Sequence, residues 1–368
     1  MRLNPLHLSQ MTPDQMRLLQ CMELLSKNHE VIPMDLMSAI YKRPVYKELK
    51  QLLNWKLISY ENNSKTCGYR LGYGGYDYMA LYTLNNRGLL GIGKQLGVGK
   101  ESDVYLGKMV FEEGLTQMSD GEEVVVKIHR LGRTSFRTVK NNRDYMGDRK
   151  HASWLYMSRL SAQKEFEFMT ILQGKFPVPK AISQNRHIVV MSPIKGFPMT
   201  QITEFGNAQH VYEQMKIIVV RLAQYGLIHG DLNVFNFMIS DDEKVHLIDF
   251  PQMVSTSHAD ADMYYNRDIQ GVVDFGLKWK CDIGDFPDLQ DISVIERLDV
   301  QVKASGFIKQ KKIKIKKETL DEDMVKLSIR TKIDFKEKAP KPKWRKSNNG
   351  KDKDTVKRGD YDSYREIH

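Results

Sequence analysis

The sequence has few cysteines and no long apolar run. Its three cysteines, Cys21, Cys67 and Cys281, lie far apart, form no Cys-x-x-Cys pair and have no histidine at metal-ligand spacing. This usage excludes a disulfide framework and favours a reducing, intracellular compartment. The most apolar stretch, 217–228, is interrupted by two polar residues, so no segment reaches the roughly 18 residues of a membrane helix. The first residues also lack the apolar core of a signal peptide, and we expect no membrane partner.

Outside the last part of the chain, the sequence has no excess of positive charge. The protein has 56 Lys and Arg and 46 Asp and Glu, a net charge of +10. Residues 301–368 hold 21 of the basic and 11 of the acidic residues, so the first 300 residues contain 35 of each. The segment 301–368 has too few large apolar residues to form a core, and we predict a basic, largely disordered tail. Two roles stay open for it: solvation or localisation, and electrostatic contact with RNA or an acidic partner.

Apolar residues near the N-terminus recur at helical spacing and predict three short helices followed by a hairpin. The predicted elements are helices from Pro13 and over 34–40 and 45–55, hairpin strands over 57–60 and 69–71, and, after Gly72 to Gly75, a linking helix over 76–86. Three helices and a hairpin are typical of a winged helix, whose third helix is the candidate reader of a DNA major groove. Because that helix carries modest charge, docking on a protein or an RNA surface is the preferred interpretation.

From residue 91 to about 300 the chain has the pattern of an α+β domain. Strands are predicted over 105–110, 124–128, 187–191 and 245–248, and the first three precede most of the helical stretches. We therefore divide the chain into a winged helix with its linker helix (1–90), an α+β domain (91–300) and the tail (301–368).

A glycine-rich turn precedes the first of these strands. Gly97 and Gly99 allow backbone N–H groups to approach phosphate oxygens, and Lys100 and Ser102 can add donors. The turn is not a P-loop, because the spacing to the lysine differs and a strand follows. A tight hairpin without a ligand is the alternative.

A lysine lies within the apolar strand 124–128. Lys127 would need an anionic partner if it faced a core. This is the pattern of the kinase strand lysine, which pairs with phosphates and with a helix glutamate. Glu165 is the candidate partner and Glu167 its rival on the same helical stretch. A surface lysine at a strand edge is the alternative.

The stretch from His229 to Asn236 carries the strongest signal. It has the catalytic-loop spacing His-x-Asp-x-x-x-x-Asn, in which Asp231 accepts a hydroxyl proton or orients the attacking group and Asn236 binds a metal. Asp249 ends the apolar strand 245–248 and can hold Mg²⁺ that bridges phosphates. Each residue alone has an ordinary structural explanation. All of them in this order predict phosphoryl transfer from Mg-ATP.

These motifs resemble the RIO family of atypical protein kinases, and the winged helix resembles its second type, an assembly factor of the pre-small ribosomal subunit. The resemblance covers about residues 1–300 and is carried by 69–78, 97–105, 127–137, 153–162, His-Gly-Asp at 229–231 and Ile-Asp-Phe-Pro-Gln at 248–252. It implies a winged helix followed by a minimal two-lobed kinase-like fold, with lobes at about 91–191 and 195–300.

The resemblance also implies the roles of the site residues, with ATP and Mg²⁺ as cofactors. By this resemblance, the phosphates are lined by Gly97, Gly99, Lys100 and Ser102, and Val104 lies at the nucleotide. Lys127 pairs with Glu165, and the adenine is flanked by Met191 and Ile194. Asp231 is the catalytic aspartate, and the metal is held by Asn236 and Asp249. It further implies that Asp249 can be phosphorylated, which makes the protein an ATP-driven switch as well as a Ser/Thr kinase. The implied partners are the ribosomal RNA and assembly factors of a pre-small-subunit particle. The implied location is the cytoplasm, with passage through the nucleus, and DNA is not an expected partner.

Four features of an ordinary protein kinase are missing. Pro251 replaces the glycine after Asp-Phe, no Ala-Pro-Glu motif follows, and the helical pattern at 262–268 leaves little room for an activation loop. Gly230 stands where ordinary kinases have the arginine that reads activation-loop phosphorylation. These departures favour an ATPase switch. Two rivals stay open: a Ser/Thr protein kinase with a protein substrate in the same particle, and a winged-helix DNA-binding regulator with an ATP-sensing domain.

Basic residues are also concentrated between Lys127 and the helix of Glu165. The segment 129–151 holds seven Arg and Lys against two Asp. A solvated loop is one interpretation. A mobile flap that orders on ribosomal RNA or a partner is preferred, because the first 300 residues are otherwise balanced in charge. Thr134, Ser135 and Thr138 in it are candidate autophosphorylation sites.

Overall fold

The computed structural model describes residues 10–63, 66–111, 121–133 and 153–307, with two short tail strands at 343–344 and 365–366. The chain forms two compact units. The first contains Met1–Gln173, Pro179–Pro193 and Lys351–His368, and the second contains Gly174–Val178 and Ile194–Gly350. Among the described residues, no helix is both long and apolar enough to cross a membrane.

The first unit begins with the predicted winged helix, which is confirmed. Its elements are α1 (Pro13–Leu25), α2 (Met34–Tyr41), α3 (Tyr46–Asn54), β1 (Ile58–Asn63) and β2 (Thr66–Leu71), with β1 and β2 antiparallel. A capping box starts α1: Thr12 Oγ1 accepts from the Gln15 amide, and Gln15 Oε1 accepts from the Thr12 amide. Leu19, Met22 and Leu52 are fully buried, which places the apolar faces of α1 and α3 in one core.

The linking helix, α4 (Tyr73–Asn85), begins three residues before its predicted start. The sequence analysis treated Gly74 and Gly75 as lead-in, which is wrong, because both lie within the helix. A β-carbon at Gly75 would lie 2.7 Å from the Leu57 carbonyl oxygen. Glycine there lets the helix approach the chain before β1, and this close packing outweighs the low helix propensity of glycine.

An antiparallel sheet follows in the same unit. It contains β3 (Leu89–Val98), β4 (Ser102–Met109), β5 (Glu122–His129), β6 (Ala181–Asn185) and β7 (Ile188–Met191) in the order β3-β4-β5-β7-β6, and the tail strand Arg365–Glu366 pairs with β3. The helix α5 (Trp154–Leu172) contacts β5, β6 and β7. Strands β4, β5 and β7 were predicted. The ten-residue β3 was not, because its glycines lower the strand signal.

The second unit contains two long helices and, apart from the tail strand, six short strands among its described residues. Its elements are β8 (Gly196–Pro198), β9 (Ile202–Glu204), α6 (Ala208–Gln224), β10 (Leu227–Ile228), β11 (Phe237–Ser240), β12 (Val245–Leu247), β13 (Val254–Ser255), α7 (Ala261–Lys278) and α8 (Leu298–Gln301). Strands β12, β11 and β8 form one sheet, β10 pairs with β13, and the tail strand Lys343–Trp344 pairs with β9. Helices α6 and α7 pack together around Tyr212, Tyr265 and Phe275, which are fully buried.

The predicted α+β class is confirmed, and helix and strand segregate as the sequence indicated. The domain boundaries at residues 90 and 300 stay predictions. The disordered tail and the mobile basic flap, with its candidate sites Thr134, Ser135 and Thr138, fall largely or wholly outside the described residues.

Candidate active site

The glycine-rich turn is the hairpin that joins β3 to β4. Gly97 lies opposite Val104 in the register of the two strands, and the Gly99 amide donates to the Ser102 carbonyl oxygen at 2.7 Å. A β-carbon at Gly97 would meet no atom within 4 Å, and Lys100 is exposed. The turn is therefore a tight hairpin whose backbone and lysine face open space, an arrangement that an anionic group can approach.

Lys127 lies in β5, an interior strand of the sheet, and is not a surface lysine. Only 9% of its surface is exposed, and its Nζ lies 2.6 Å from Oε1 of Glu165 on α5, which is 1% exposed. Val104 of β4 is directly opposite Lys127. The rival Glu167 pairs with Lys164 at 3.3 Å instead. The structure thus brings together the lysine and the glutamate that the sequence pattern had coupled.

His129 is a neighbour of this pair that the sequence analysis did not single out. Its Nε2 lies 2.7 Å from the second carboxylate oxygen of Glu165, and its side chain is 3% exposed. The signal was present in the sequence, because residues two apart in a strand point to the same face. Glu165 therefore lies between two basic side chains of one strand, which fixes its orientation.

A second buried ionic cluster joins the linking helix to the sheet. Arg130, just after β5, contacts both carboxylate oxygens of Asp77 on α4 at 2.5 and 2.7 Å and Oδ2 of Asp103 on β4 at 3.1 Å. His187 Nε2 lies 2.7 Å from Asp77 Oδ1. Burial raises the pKa of Asp77, but Arg130 and His187 outweigh it and hold that pKa below its usual value. The carboxylate of α4 is thereby tied to the strands on either side of Lys127.

The second unit holds Asp231, Asn236 and Asp249 in consecutive loops. Asn236 Nδ2 donates to the Asp231 carbonyl oxygen at 2.7 Å, and Gln252 Nε2 donates to Asp231 Oδ2 at 3.2 Å. The Ile248 amide donates to the Asn236 carbonyl oxygen at 3.0 Å, which holds the end of β12 beside the catalytic loop. These bonds bring the three predicted residues of this unit into one cluster.

Asp268 on α7 holds the backbone of that loop, and the sequence analysis had named it only as the end of a helical pattern. Its two carboxylate oxygens accept from the Gly230 and Leu232 amides, each at 2.9 Å. Burial raises the pKa of Asp268 to about 6, although the amides favour the charged form. Asp231 lies between the two anchored amides, so Asp268 is a positioning residue for Asp231.

Asp249 has an unusual backbone conformation, and its neighbour His229 has an unusual side-chain environment. Asp249 itself has a φ of 69°, in the left-handed region that non-glycine residues seldom adopt. His229 is fully buried and packs edge-on against Phe250, with the ring centroids 6.3 Å apart. Burial lowers the pKa of His229 to about 4, so the imidazole is neutral at pH 7. The strained backbone at Asp249 is of the kind that clusters at functional sites.

The oxygen atoms available in this unit suit a hard divalent cation. Among the described residues there is no group of three or more His, Cys, Asp and Glu side chains that could hold a metal by themselves. Asn236 donates from Nδ2 to the backbone, which leaves its amide oxygen as a ligand, and Asp249 contributes a carboxylate. Mg²⁺ is commonly held by one or two such side chains, with phosphate and water completing the shell.

The two remaining candidates are placed less specifically. Met191 ends β7 beside Val125 of β5 and is 8% exposed. Ile194 is the first residue of the second unit's main segment, and its carbonyl oxygen accepts from the Gly196 amide at 2.9 Å. Neither contact identifies a ligand, so their role at adenine stays a prediction.

Comparison with known proteins identifies the family. The sequence profile of the RIO domain matches residues 109–287, and that of the Rio2 N-terminal domain matches residues 8–87. The serine/threonine-protein kinase rio2 of Dictyostelium discoideum is 45% identical over 313 residues, which are 83% of this chain and 58% of that protein. The Schizosaccharomyces pombe protein of the same name is 43% identical over 83% of this chain and 89% of its own length.

Solved structures agree with the sequence relatives. The crystal structure of the Rio2 kinase–ADP/Mg²⁺–phosphoaspartate complex from Chaetomium thermophilum superposes with a TM-score of 0.71 and is 39% identical. The match covers 84% of this chain and 95% of the Chaetomium chain. The predicted winged helix and kinase-like fold are confirmed by this match, and ATP with Mg²⁺ are the cofactors of the family. The chain belongs to the Rio2 family of serine/threonine-protein kinases.

Proposed function

We propose that this chain transfers the γ-phosphoryl group of ATP and that the Asp249 carboxylate is its first acceptor. The observation that carries the proposal is the cluster in which the loop of Asp231 and Asn236 is bonded to the strand end that holds Asp249 in a left-handed backbone. The phosphoaspartate in the related Chaetomium structure supports the same chemistry. A carboxylate nucleophile divides hydrolysis into two easier steps.

The proposed reaction has two steps, phosphoryl transfer to Asp249 and hydrolysis of the phosphorylated carboxylate. An Asp249 carboxylate oxygen forms a bond to the γ-phosphorus, the bond to the β–γ bridging oxygen breaks, and ADP leaves with that electron pair. Water then attacks the phosphorus, the acyl oxygen leaves, and inorganic phosphate and the free carboxylate result. Asp231 accepts the proton of the attacking water, and Gln252 orients Asp231 through its bond to Oδ2. Mg²⁺ held by Asn236 and Asp249 would neutralise phosphate charge.

The first unit supplies the nucleotide contacts in this proposal. Lys127, held at 2.6 Å by Glu165, carries a fixed positive charge for the phosphates. The backbone of Gly97 and Gly99, with Lys100, lines the same phosphates, and Met191 contacts the adenine. Because Lys127 is already paired and buried, binding ATP costs little side-chain ordering.

We further propose that ATP turnover switches the protein between states on a pre-small-subunit ribosomal particle in the cytoplasm. The short segment 250–260 between Asp249 and α7 supports a switch, because it is occupied by β13, which pairs with β10, and offers no peptide platform. ATP would favour the bound state, and hydrolysis would release the protein. The second candidate is phosphorylation of a protein hydroxyl in that particle, which the names of the relatives favour.

The test is labelling with γ-labelled Mg-ATP followed by hydroxylamine. Wild type, Asp249→Asn and Asp231→Ala are compared, with Asp274→Asn on the exposed face of α7 as control. Asparagine is chosen at 249 because it tolerates the left-handed backbone. Hydroxylamine-labile label in wild type and control, absent in Asp249→Asn, is the expected result. Label that resists hydroxylamine and disappears in Asp231→Ala would contradict the acyl-phosphate and favour the hydroxyl kinase.

Release from the particle tests the switch separately. If Asp231→Ala is released from pre-ribosomal particles as fast as wild type, turnover does not drive release, and the protein is a scaffold there. We expect the variant to stay bound when ATP is present.

A further inference from the structure

A polar cleft of about 520 Å³ lies within the first unit, between α1 of the winged helix, α5 and the turn that joins β6 to β7. Four of its ten lining side chains are cationic: Lys27, Arg87, Arg159 and Arg186. Four others are amides, and Glu23 is the one carboxylate among the described residues that line it. The lining therefore carries three more positive than negative charges.

One of these cations and the carboxylate bind each other. Arg186 Nε and Nη2 bind the two oxygens of Glu23 at 2.9 and 2.7 Å, and Nη1 donates to the Met79 carbonyl oxygen at 3.2 Å. Arg186 has a φ of 49° at the β6–β7 turn, which points to a turn held by its side-chain contacts. Because Arg186 and Glu23 neutralise each other, the charge excess belongs to the other three cations.

Lys27, Arg87 and Arg159 have no carboxylate partner among the described residues. All three are exposed, and Arg87 Nη1 donates to the neutral Gln184 carbonyl oxygen at 3.0 Å. Arg159 lies near the Tyr76 hydroxyl, which is neutral because burial raises its pKa to about 12. The first 300 residues are balanced in charge, so three unpaired cations around one cleft are a local concentration. Such a concentration attracts a polyanion.

The other side chains that line the cleft indicate which class of polyanion it can bind. Amide side chains from three elements stand beside the cations, and amides are suited to the hydroxyls and phosphate oxygens of a sugar–phosphate backbone. Among the described residues that line the cleft there is no aromatic side chain on which an unpaired base could stack. Hydrogen bonds to ribose 2′-hydroxyls distinguish RNA from DNA.

We propose that this cleft binds the sugar–phosphate backbone of double-stranded RNA without reading its sequence. The inference deepens the proposed function, on which it rests for the presence of an RNA partner. It assigns the contact to the cleft and not to α3, the helix that a winged helix would place in a DNA groove. The exposed lysines on and after α3, Lys47, Lys50 and Lys56, do not line the cleft.

The first test is a salt series of filter binding with the full chain, a 20-base-pair RNA hairpin and a DNA hairpin of the same sequence. The triple variant Lys27→Gln/Arg87→Gln/Arg159→Gln is compared with the matched triple Lys47→Gln/Lys50→Gln/Lys56→Gln. Loss of three phosphate contacts should weaken RNA binding at least about tenfold near 0.1 M salt and reduce the slope of log K against log salt by about 2 to 3. The α3 triple should bind as wild type, and the RNA should bind more tightly than the DNA. The basic tail contributes equally to all three proteins.

The second test needs no variant. Wild-type protein is acylated at its amines with and without the RNA hairpin, and modification at Lys27 and Lys47 is read by mass spectrometry. Protection of Lys27 but not Lys47 is the expected result. Protection of Lys47 alone, or of neither lysine, would overturn the proposal in favour of α3 or the tail. In the first test, equal weakening of RNA binding by both triple variants, or tighter binding of the DNA hairpin than of the RNA hairpin, would also overturn it.

Failure of this inference is distinguishable from failure of the proposed function. Hydroxylamine-labile labelling of the cleft triple is measured in parallel and should equal wild type, because none of its three residues belongs to the catalytic cluster. A triple that labels normally and still binds RNA as wild type refutes the cleft alone. A wild-type chain that binds RNA through the cleft but forms no acyl-phosphate refutes the mechanism alone.

Discussion

Replacing Asp268 by asparagine tests how the catalytic loop is held. The carboxylate is 2% exposed and accepts one backbone N–H at each oxygen, from Gly230 and Leu232, both at 2.9 Å. Asparagine has nearly the same shape but only one acceptor oxygen, so one buried amide would face an NH₂ group. The lost bond to a charged acceptor costs about 1.5 to 3 kcal/mol of unfolding free energy.

The same change should reach the chemistry, because Asp231 lies between the two anchored amides. If that carboxylate moves by about 1 Å, hydrolysis of the aspartyl-phosphate should slow by up to about a hundredfold, because Asp231 accepts the proton of the attacking water. The dissociation constant of ATP should stay within about twofold, because the loop is not expected to hold the adenine. Urea unfolding and the rate at which label is lost after a single turnover measure the two effects, with Asp274→Asn on the exposed face of the same helix as control. An Asp268→Asn protein with wild-type stability and rate would refute the argument.

Asp268 and His229 also predict how stability depends on pH. The pKa of Asp268 is raised to about 6, so the folded state holds that proton more tightly and this group adds stability as pH falls from about 6 to 4. The pKa of His229 is lowered to about 4, so this group removes stability as pH falls from about 6.5 to 4. Each effect is about 3 kcal/mol and they oppose each other. In Asp268→Asn only the histidine effect is left, so its stability should fall more steeply with acid than that of wild type.

Three further substitutions have defined outcomes. Lys127→Met leaves Glu165 buried without its lysine, and should lower the unfolding free energy by about 3 to 5 kcal/mol and abolish labelling by ATP. Lys164→Met on the same helix as Glu165 is the half-buried control, and equal effects of the two would contradict the reasoning. Arg130→Met removes the cationic partner of the Asp77 carboxylate and leaves it the contact with His187, at a similar cost, and calorimetry should show that Asp77→Asn in the same chain recovers part of it. Gly75→Ala places a β-carbon 2.7 Å from a carbonyl oxygen and should lower the melting temperature of the full chain, whereas an unchanged melting temperature would show that α4 can shift at no cost.

Motifs whose members lie close in the sequence were predictable. Asp231 and Asn236 are five residues apart in one loop, and Asp249 follows a short apolar strand, so their spacing alone indicates which carboxylates act together. The winged helix was predicted for a similar reason, because apolar residues recur at helical spacing in each of its helices and Pro13 marks the start of the first. Strand β3 and the start of α4 were missed because glycine weakens both periodic signals.

The sequence by itself determined the fold class and the family and selected the candidate catalytic residues, because these depend on local patterns and on the order of motifs along one chain. Apart from the Lys127–Glu165 pair, which the sequence pattern predicted, only the tertiary structure decided which charges are paired. Arg130 meets Asp77 across 53 residues, and Asp268 meets the Gly230 amide across 38. No periodicity records such distant pairs, because burial between separate elements selects them. The three cations of the RNA cleft likewise come from three segments, and only folding gathers them around one opening.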